Sequence, residues 1–260
     1  VHAVAGITPA VAPVIGSYLG AYIGWRYTFF ILFIFSFLGT LLIYSFQPET
    51  LQKKKPICVK QILRSYVEVL RSPQYVRYLV VKVLTVMLIF TEVSNLPLIF
   101  VEHMNVPAQY YGFFIFPVLI VYVISTFLSS KLCQHLDIDR LIELGLFLLL
   151  SSNATLLLLH YLIPLSPILI QCVKALSYMG WAFVFGNATA QIVSAVPRYA
   201  GVASAMMIAL EMLFSSLGIF FLSFFFNGTI VPLCWFMTLV SCFCLIFLRF
   251  YKREAIAMYS

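Results

Sequence analysis

Three ionisable residues, Glu92, Lys174 and Glu211, lie deep inside long apolar stretches of this chain. Burying a charged side chain in such surroundings costs several kcal/mol, so residues of this kind are candidates for function. A carboxylate there can carry a proton. A lysine can neutralise it or attract an anion. Glu211 falls about 12 residues into its stretch, or roughly 18 Å at 1.5 Å per residue, close to the middle of a membrane-spanning helix. The structural alternative is an ion pair between Glu211 and Lys174 that only ties helices together. For Glu92 the alternative is a place at the outer interface. Lys82 sits nearer one end of its stretch and is expected to extend its ammonium to water. Asn187, beside Gly186, and the Ser151-Ser152-Asn153 run could line a path or could bond one helix to the next.

The elements that must position these groups are read from hydropathy. The chain has 260 residues, of which 63% are hydrophobic and only 10% charged, with 25 Phe and 15 Tyr. A soluble domain carries about 25% charged residues and cannot hide this much apolar surface. About 20 apolar residues cross a bilayer as a helix, and eight segments meet that length: about Val1 to Ile23, Tyr27 to Phe46, Pro73 to Phe100, Tyr110 to Ser130, Leu141 to Leu162, Pro167 to Val193, Tyr199 to Phe226 and Ile230 to Leu248. Alternation at period two is absent, which argues against a β-barrel. The expected class is therefore an all-α polytopic membrane protein with eight transmembrane helices. The third, sixth and seventh spans carry the charges and should face a cavity. The second, fifth and eighth have uncharged centres and should face lipid.

Between the second and third spans runs a polar stretch, Gln47 to Ser72, which opens with Lys53, Lys54 and Lys55. From Val59 its apolar residues (Val59, Ile62, Leu63, Tyr66, Val67, Leu70) recur at helical spacing opposite Lys60, Arg64, Glu68 and Arg71. That pattern predicts an amphipathic helix on the membrane surface. This loop, Lys131 and Arg140, Arg198, and Arg249, Lys252 and Arg253 all fall on one set of connections. The alternate connections, Glu102 to Ala108, Ile163 to Ser166 and Asn227 to Thr229, hold no Lys or Arg; only Arg26, beside Trp25 at an interface, breaks the pattern. The excess of positive charge marks the cytoplasmic side and places the C-terminus there. The net charge of +7 is thus spread between spans and does not form a nucleic-acid-binding face.

The six cysteines show no C-x-x-C pair and no metal spacing, and no metal or cofactor is expected. There is no G-x-S-x-G, H-E-x-x-H, phosphate loop or dinucleotide turn, so the chain is not expected to be an enzyme. Gly6, Pro9, Pro13, Gly16 and Gly20 punctuate the first span. Small residues allow close helix approach there, and prolines add bends.

The stretch from Gly6 to Gly20, followed by Gly24-Trp25-Arg26 and Phe29, resembles the antiporter motif of the major facilitator superfamily, with Ser17 in place of the usual second Gly. Pro197-Arg198-Tyr199-Ala200-Gly201-Val202-Ala203-Ser204-Ala205 resembles the P-x-x-A-G-x-A-S-A pattern that opens the eleventh helix of bicyclomycin-resistance-type drug/proton antiporters. Leu132 to Arg140 is similar to the D-x-x-x-R loop after the eighth helix. The resemblance implies that the eight spans correspond to helices five to twelve of a twelve-helix fold, with the first four helices missing. Residues 1–46 are then the last two helices of the N-terminal half, 47–72 the cytoplasmic linker, and 73–260 the C-terminal six-helix half with its tail. It further implies proton-driven efflux of small amphipathic compounds across a bacterial inner membrane. Glu211, Lys174, Glu92 and Asn187 would lie on the substrate and proton pathway. Trp25, Arg26, Pro197 and Gly201 would mark helix starts. The expected partners are the lipid bilayer, a small-molecule substrate, protons and the missing helices as a separate chain. The other reading is a non-transporting remnant or one subunit of a split transporter.

Overall fold

The computed structural model describes residues 12, 15–47 and 59–259. Residues 15–22 are helical and end at Gly24, whose φ of 92° lies in the left-handed region that costs glycine least. Helix α1 spans Trp25–Phe46 and the short α2 spans Val59–Leu70. Helix α3, Pro73–Pro97, continues through a π-helical turn at Leu98–His103. Then follow α4 (Tyr111–Leu132), α5 (Ile138–Leu162), α6 (Pro167–Ala195), α7 (Ala200–Ser223) and α8 (Val231–Tyr259). No strand occurs among the described residues.

Among the described residues, seven helices are long and apolar enough to cross a membrane: α1, α3 with its π turn, and α4 to α8. They coincide with the second to eighth expected spans. The first expected span lies mostly outside the described residues, including Gly6, Pro9 and Pro13. Gly16 and Gly20 are described, and nothing lies within 4 Å of where their Cβ atoms would stand. The close helix approach expected at these two glycines is therefore not made by any described residue.

The helix starts follow from local chemistry. Ser72 accepts from the Tyr75 amide at 3.3 Å, with Pro73 in the first turn. Ser166 accepts from the Leu169 amide at 3.2 Å ahead of Pro167, so α6 repeats the device. Pro197–Tyr199 forms a 3₁₀ turn that leads into α7.

The six helices α3 to α8 pack into one bundle, and α5 against α6 is its most extensive pairing. Gly145 and Gly180 make that pairing possible. A Cβ on Gly145 would stand 2.6 Å from the Gly180 carbonyl oxygen, and one on Gly180 would stand 2.5 Å from that of Gly145. Helix α3 is central and packs on α6, α7 and α8. It meets α7 where Gly218 lies under Met87 and Thr91, and where the Tyr75 hydroxyl donates to the Ala203 carbonyl at 2.9 Å. No residue of α1 is buried.

Of the uncharged spans expected to face lipid, α1 buries no residue, whereas α8 buries a face from Leu233 to Leu248 and α5 is interior. Leu141, Ile142, Leu146, Leu149 and Leu156 of α5 are fully buried. Helix α5 needs no charge to be an interior helix, because Gly145, Ser152 and Asn153 let it approach and bond α6. The charged helix α7 buries only one narrow stripe, from Ala203 through Glu211 to Leu222.

Helix α2 has the amphipathic character expected of it. Leu63, Val67 and Leu70 are exposed as an apolar stripe. Val69, outside that stripe, is fully buried where α2 meets α3 and α7. Glu68 is tied to the start of α7 by the Tyr199 hydroxyl and to its own helix by Arg64 at 3.1 Å. The Tyr199 hydrogen bond, seconded by Arg64, holds the Glu68 carboxyl below the usual carboxylate range.

Candidate functional site: three polar layers in the bundle

The bundle holds three polar layers, stacked from the arginine-bearing end towards the other. At the first, Arg77 of α3 donates to Asp139 Oδ2 at 3.2 and 3.3 Å and to the Leu248 carbonyl at 3.1 and 3.3 Å. The Tyr78 hydroxyl donates to Asp139 Oδ1 at 2.6 Å. Asp139 sits in the first turn of α5, where the helix dipole also favours a negative charge. One carboxylate thus joins α3 and α5, and its arginine reaches α8.

The middle layer contains Lys82 and Glu211, 3.9 Å apart, with side chains 1% and 8% exposed. Lys82 Nζ donates to the Phe185 carbonyl at 3.2 Å and stands 2.7 Å from the centroid of the Phe185 ring. Those contacts use only part of its three-donor capacity. Glu211 Oε1 and the Ser215 hydroxyl one turn along α7 are buried and have no hydrogen-bond partner. The expectation that Lys82 extends to water is corrected here. It points inward because a carboxylate at matching depth on α7 and a carbonyl and ring on α6 receive it.

The third layer is tight. Lys174 Nζ donates to Glu92 Oε2 at 2.6 Å, to Asn153 Oδ1 at 2.8 Å and to Met237 Sδ at 3.3 Å. Lys174 and Glu92 are wholly buried. Asn153 donates to Leu149 O at 2.8 Å and reaches Ser177 Oγ at 3.5 Å. Tyr178 flanks the carboxylate, while Glu92 Oε1 closes no hydrogen bond of its own. This layer ties α3, α5, α6 and α8 together. It also sets aside two of the structural alternatives: Lys174 pairs with Glu92 and not with Glu211, and Glu92 is interior, as its depth in the span implied, and not at an interface.

Asn187 stands apart from both pairs. Its amide donates to Ser129 Oγ at 3.0 Å and to Phe183 O at 2.7 Å, and it accepts from the Cys133 thiol at 3.0 Å. It bonds α6 to α4. Trp25 is exposed, with the Arg26 guanidinium 4.4 Å from the centre of its ring. Pro197 and Gly201 are exposed at the start of α7. Of the residues in these layers, Lys82 and Asn153 were weighed from the sequence in other roles, and Asp139 was not singled out. Depth would have found the pairing of the first, since Lys82 and Glu211 lie at similar distances from the same end of their helices.

A bundle of membrane-length helices with charges paired in its interior defines an integral membrane protein built around polar layers. Residues 1–219 match the family model of the Major Facilitator Superfamily, and the chain belongs to that family of membrane transporters. No curated protein sequence matches the chain.

Proposed function

We propose that the chain forms part of a proton-coupled efflux carrier for small amphipathic compounds, with Glu211 as the carboxylate that takes up and gives off the coupling proton. The observation that carries this reading is the looseness of the middle layer. Glu211 lies near mid-helix, its Oε1 has no hydrogen-bond partner, and Lys82 is 3.9 Å away. A carboxylate so held can exchange a proton without dismantling a hydrogen-bond network. Glu92 and Lys174 form the brace against which α7 moves as access alternates. The resemblance of Gly6 to Gly20 and Pro197 to Ala205 to drug/proton antiporters supports the direction of transport, and with it a bacterial inner membrane. The alternate connections from Glu102 onward, which hold no Lys or Arg, support a cytoplasmic C-terminus.

Efflux of a neutral amphipathic dye such as Nile red from proteoliposomes under an imposed pH gradient tests the reading. Glu211→Gln should abolish the gradient-dependent component. Unchanged efflux with unchanged pH dependence rejects Glu211 as the coupling group.

A second reading, a subunit completed by another chain, draws on α1. None of its residues is buried, and its faces have room for further helices. Co-purification of a second polypeptide at fixed stoichiometry would favour it.

A further inference from the structure

Helices α4 and α6 are bonded at one end by Asn187, Ser129 and Cys133. Towards their other end they enclose a cavity of about 390 Å³, within the range of small-molecule sites. Its walls are two helical stripes: Phe113, Phe114, Pro117 and Val118 from α4, and Ile168, Gln171, Cys172 and Ala175 from α6. Pro117 lies inside α4, where it removes a backbone hydrogen bond and weakens the helix next to the cavity. Tyr18, on the helix that carries Gly16 and Gly20, meets Phe113 edge-on at 5.8 Å. The cavity therefore lies beside the contact between that helix and the bundle.

Gln171 is the polar residue with hydrogen-bonding capacity to spare in this wall. It is 6% exposed, and neither its Oε1 nor its Nε2 has a partner. A buried primary amide with both functions unmet is costly, and a ligand that supplies an acceptor and a donor together relieves it. No charged residue lines the cavity. Lys174, one turn from Gln171, has its three donors committed to Glu92, Asn153 and Met237. An ionic ligand would enter the cavity uncompensated.

We infer that this cavity is a binding site for neutral aromatic compounds bearing an amide or similar paired donor and acceptor, read by the side chain of Gln171. The inference names the substrate class of the proposed carrier and rests on that reading only for the step from binding to transport.

Cys172 is exposed and lines the cavity, which makes binding measurable without turnover. Cys242 is also exposed and lies on α8, so it serves as an internal reference. The chain in membranes is treated with N-ethylmaleimide, and alkylation of each cysteine is followed by mass spectrometry with benzanilide or with trans-stilbene, which has the same shape without the amide. Benzanilide should slow alkylation of Cys172 and leave Cys242 unchanged. Its half-protecting concentration should be about tenfold lower than that of stilbene, the size expected for a satisfied buried amide. In Gln171→Leu the two compounds should protect equally. Equal protection by both compounds in the unaltered chain makes the cavity an unselective apolar slot and overturns the inference. So does absence of protection, or equal slowing at Cys242, which would report partitioning into the bilayer. The unaltered chain alone decides the matter, so a poorly folding variant does not leave it open. Failure here leaves proton-coupled efflux standing, and loss of coupling in Glu211→Gln efflux leaves this site standing.

Discussion

The two buried lysine–glutamate pairs are alike in composition and opposite in construction. Both bridge α3 to another helix. They are ten residues apart on α3, or about 15 Å along its axis. In the Glu92–Lys174 pair the ammonium spends all three donors at 2.6, 2.8 and 3.3 Å. In the Lys82–Glu211 pair the charges stand 3.9 Å apart; each pair's carboxylate keeps one unpartnered oxygen, so what separates them is how fully the ammonium's donors are used. Equal charge burial therefore does not mean equal role. A pair whose ammonium has spent all its donors resists change in geometry, whereas a loosely held pair can be altered at smaller cost. The difference follows from neighbours: α5 contributes Asn153 and α8 contributes Met237 to one pair, while α7 offers the other an unpartnered serine.

The largest effect expected from breaking this contrast is at Lys174. Lys174→Met strands Glu92 in the interior and should cost about 3–5 kcal/mol of stability, read by thermal unfolding in detergent. Adding Glu92→Gln should recover much of that loss. A loss no greater than that of Glu211→Gln would erase the distinction between the pairs.

Next in size is Gly180→Ala. Its Cβ would meet the Gly145 carbonyl, so α5 and α6 must separate, at a cost of about 1–3 kcal/mol. Because that crossing holds Asn153 against Lys174, Gly180→Ala and Asn153→Ala should be non-additive in a double-mutant cycle on unfolding temperature.

Glu211→Gln should cost less than Lys174→Met, about 1–2 kcal/mol, since Lys82 loses a counter-charge 3.9 Å away but no hydrogen bond. Its effect belongs to transport, and a loss of several kcal/mol would make the middle layer structural as well.

The smallest effect is at Glu68, outside the spans. Its folded carboxyl is held below the usual range, so its contribution is present at neutral pH and is lost as pH falls through that lowered value. Glu68→Gln should loosen α2 at pH 7, seen as faster amide exchange across Val59–Leu70. The difference from the unaltered chain should fade below about pH 4.

Much of this architecture was legible in the sequence. Span lengths, the serine–proline starts of α3 and α6, and the amphipathic α2 all follow from local pattern, and local pattern survives folding. The identity of the ion pairs was not legible from type alone, because two lysines and two glutamates can be paired in two ways. Depth resolves it: Lys82 and Glu211 both lie nearer the arginine-bearing ends of their helices, and Glu92 and Lys174 nearer the opposite ends. The interior position of α5 was missed because the absence of charge was read as exposure to lipid. Gly145 and Asn153 were the signals to the contrary. Gln171 left no trace in the pattern, since only the gap between α4 and α6 shows that its amide lacks partners.

The account stands on Glu211 being exchangeable and Glu92 being locked, and dicyclohexylcarbodiimide tests this directly. The reagent adds to protonated carboxyl groups in apolar surroundings, and its adducts can be located by mass spectrometry of the membrane-embedded chain. Glu211 should be modified and Glu92 should not, in keeping with side chains 8% and 0% exposed. Modification of Glu92 as readily as Glu211, or an unmodified Glu211, would contradict the division between a working pair and a brace.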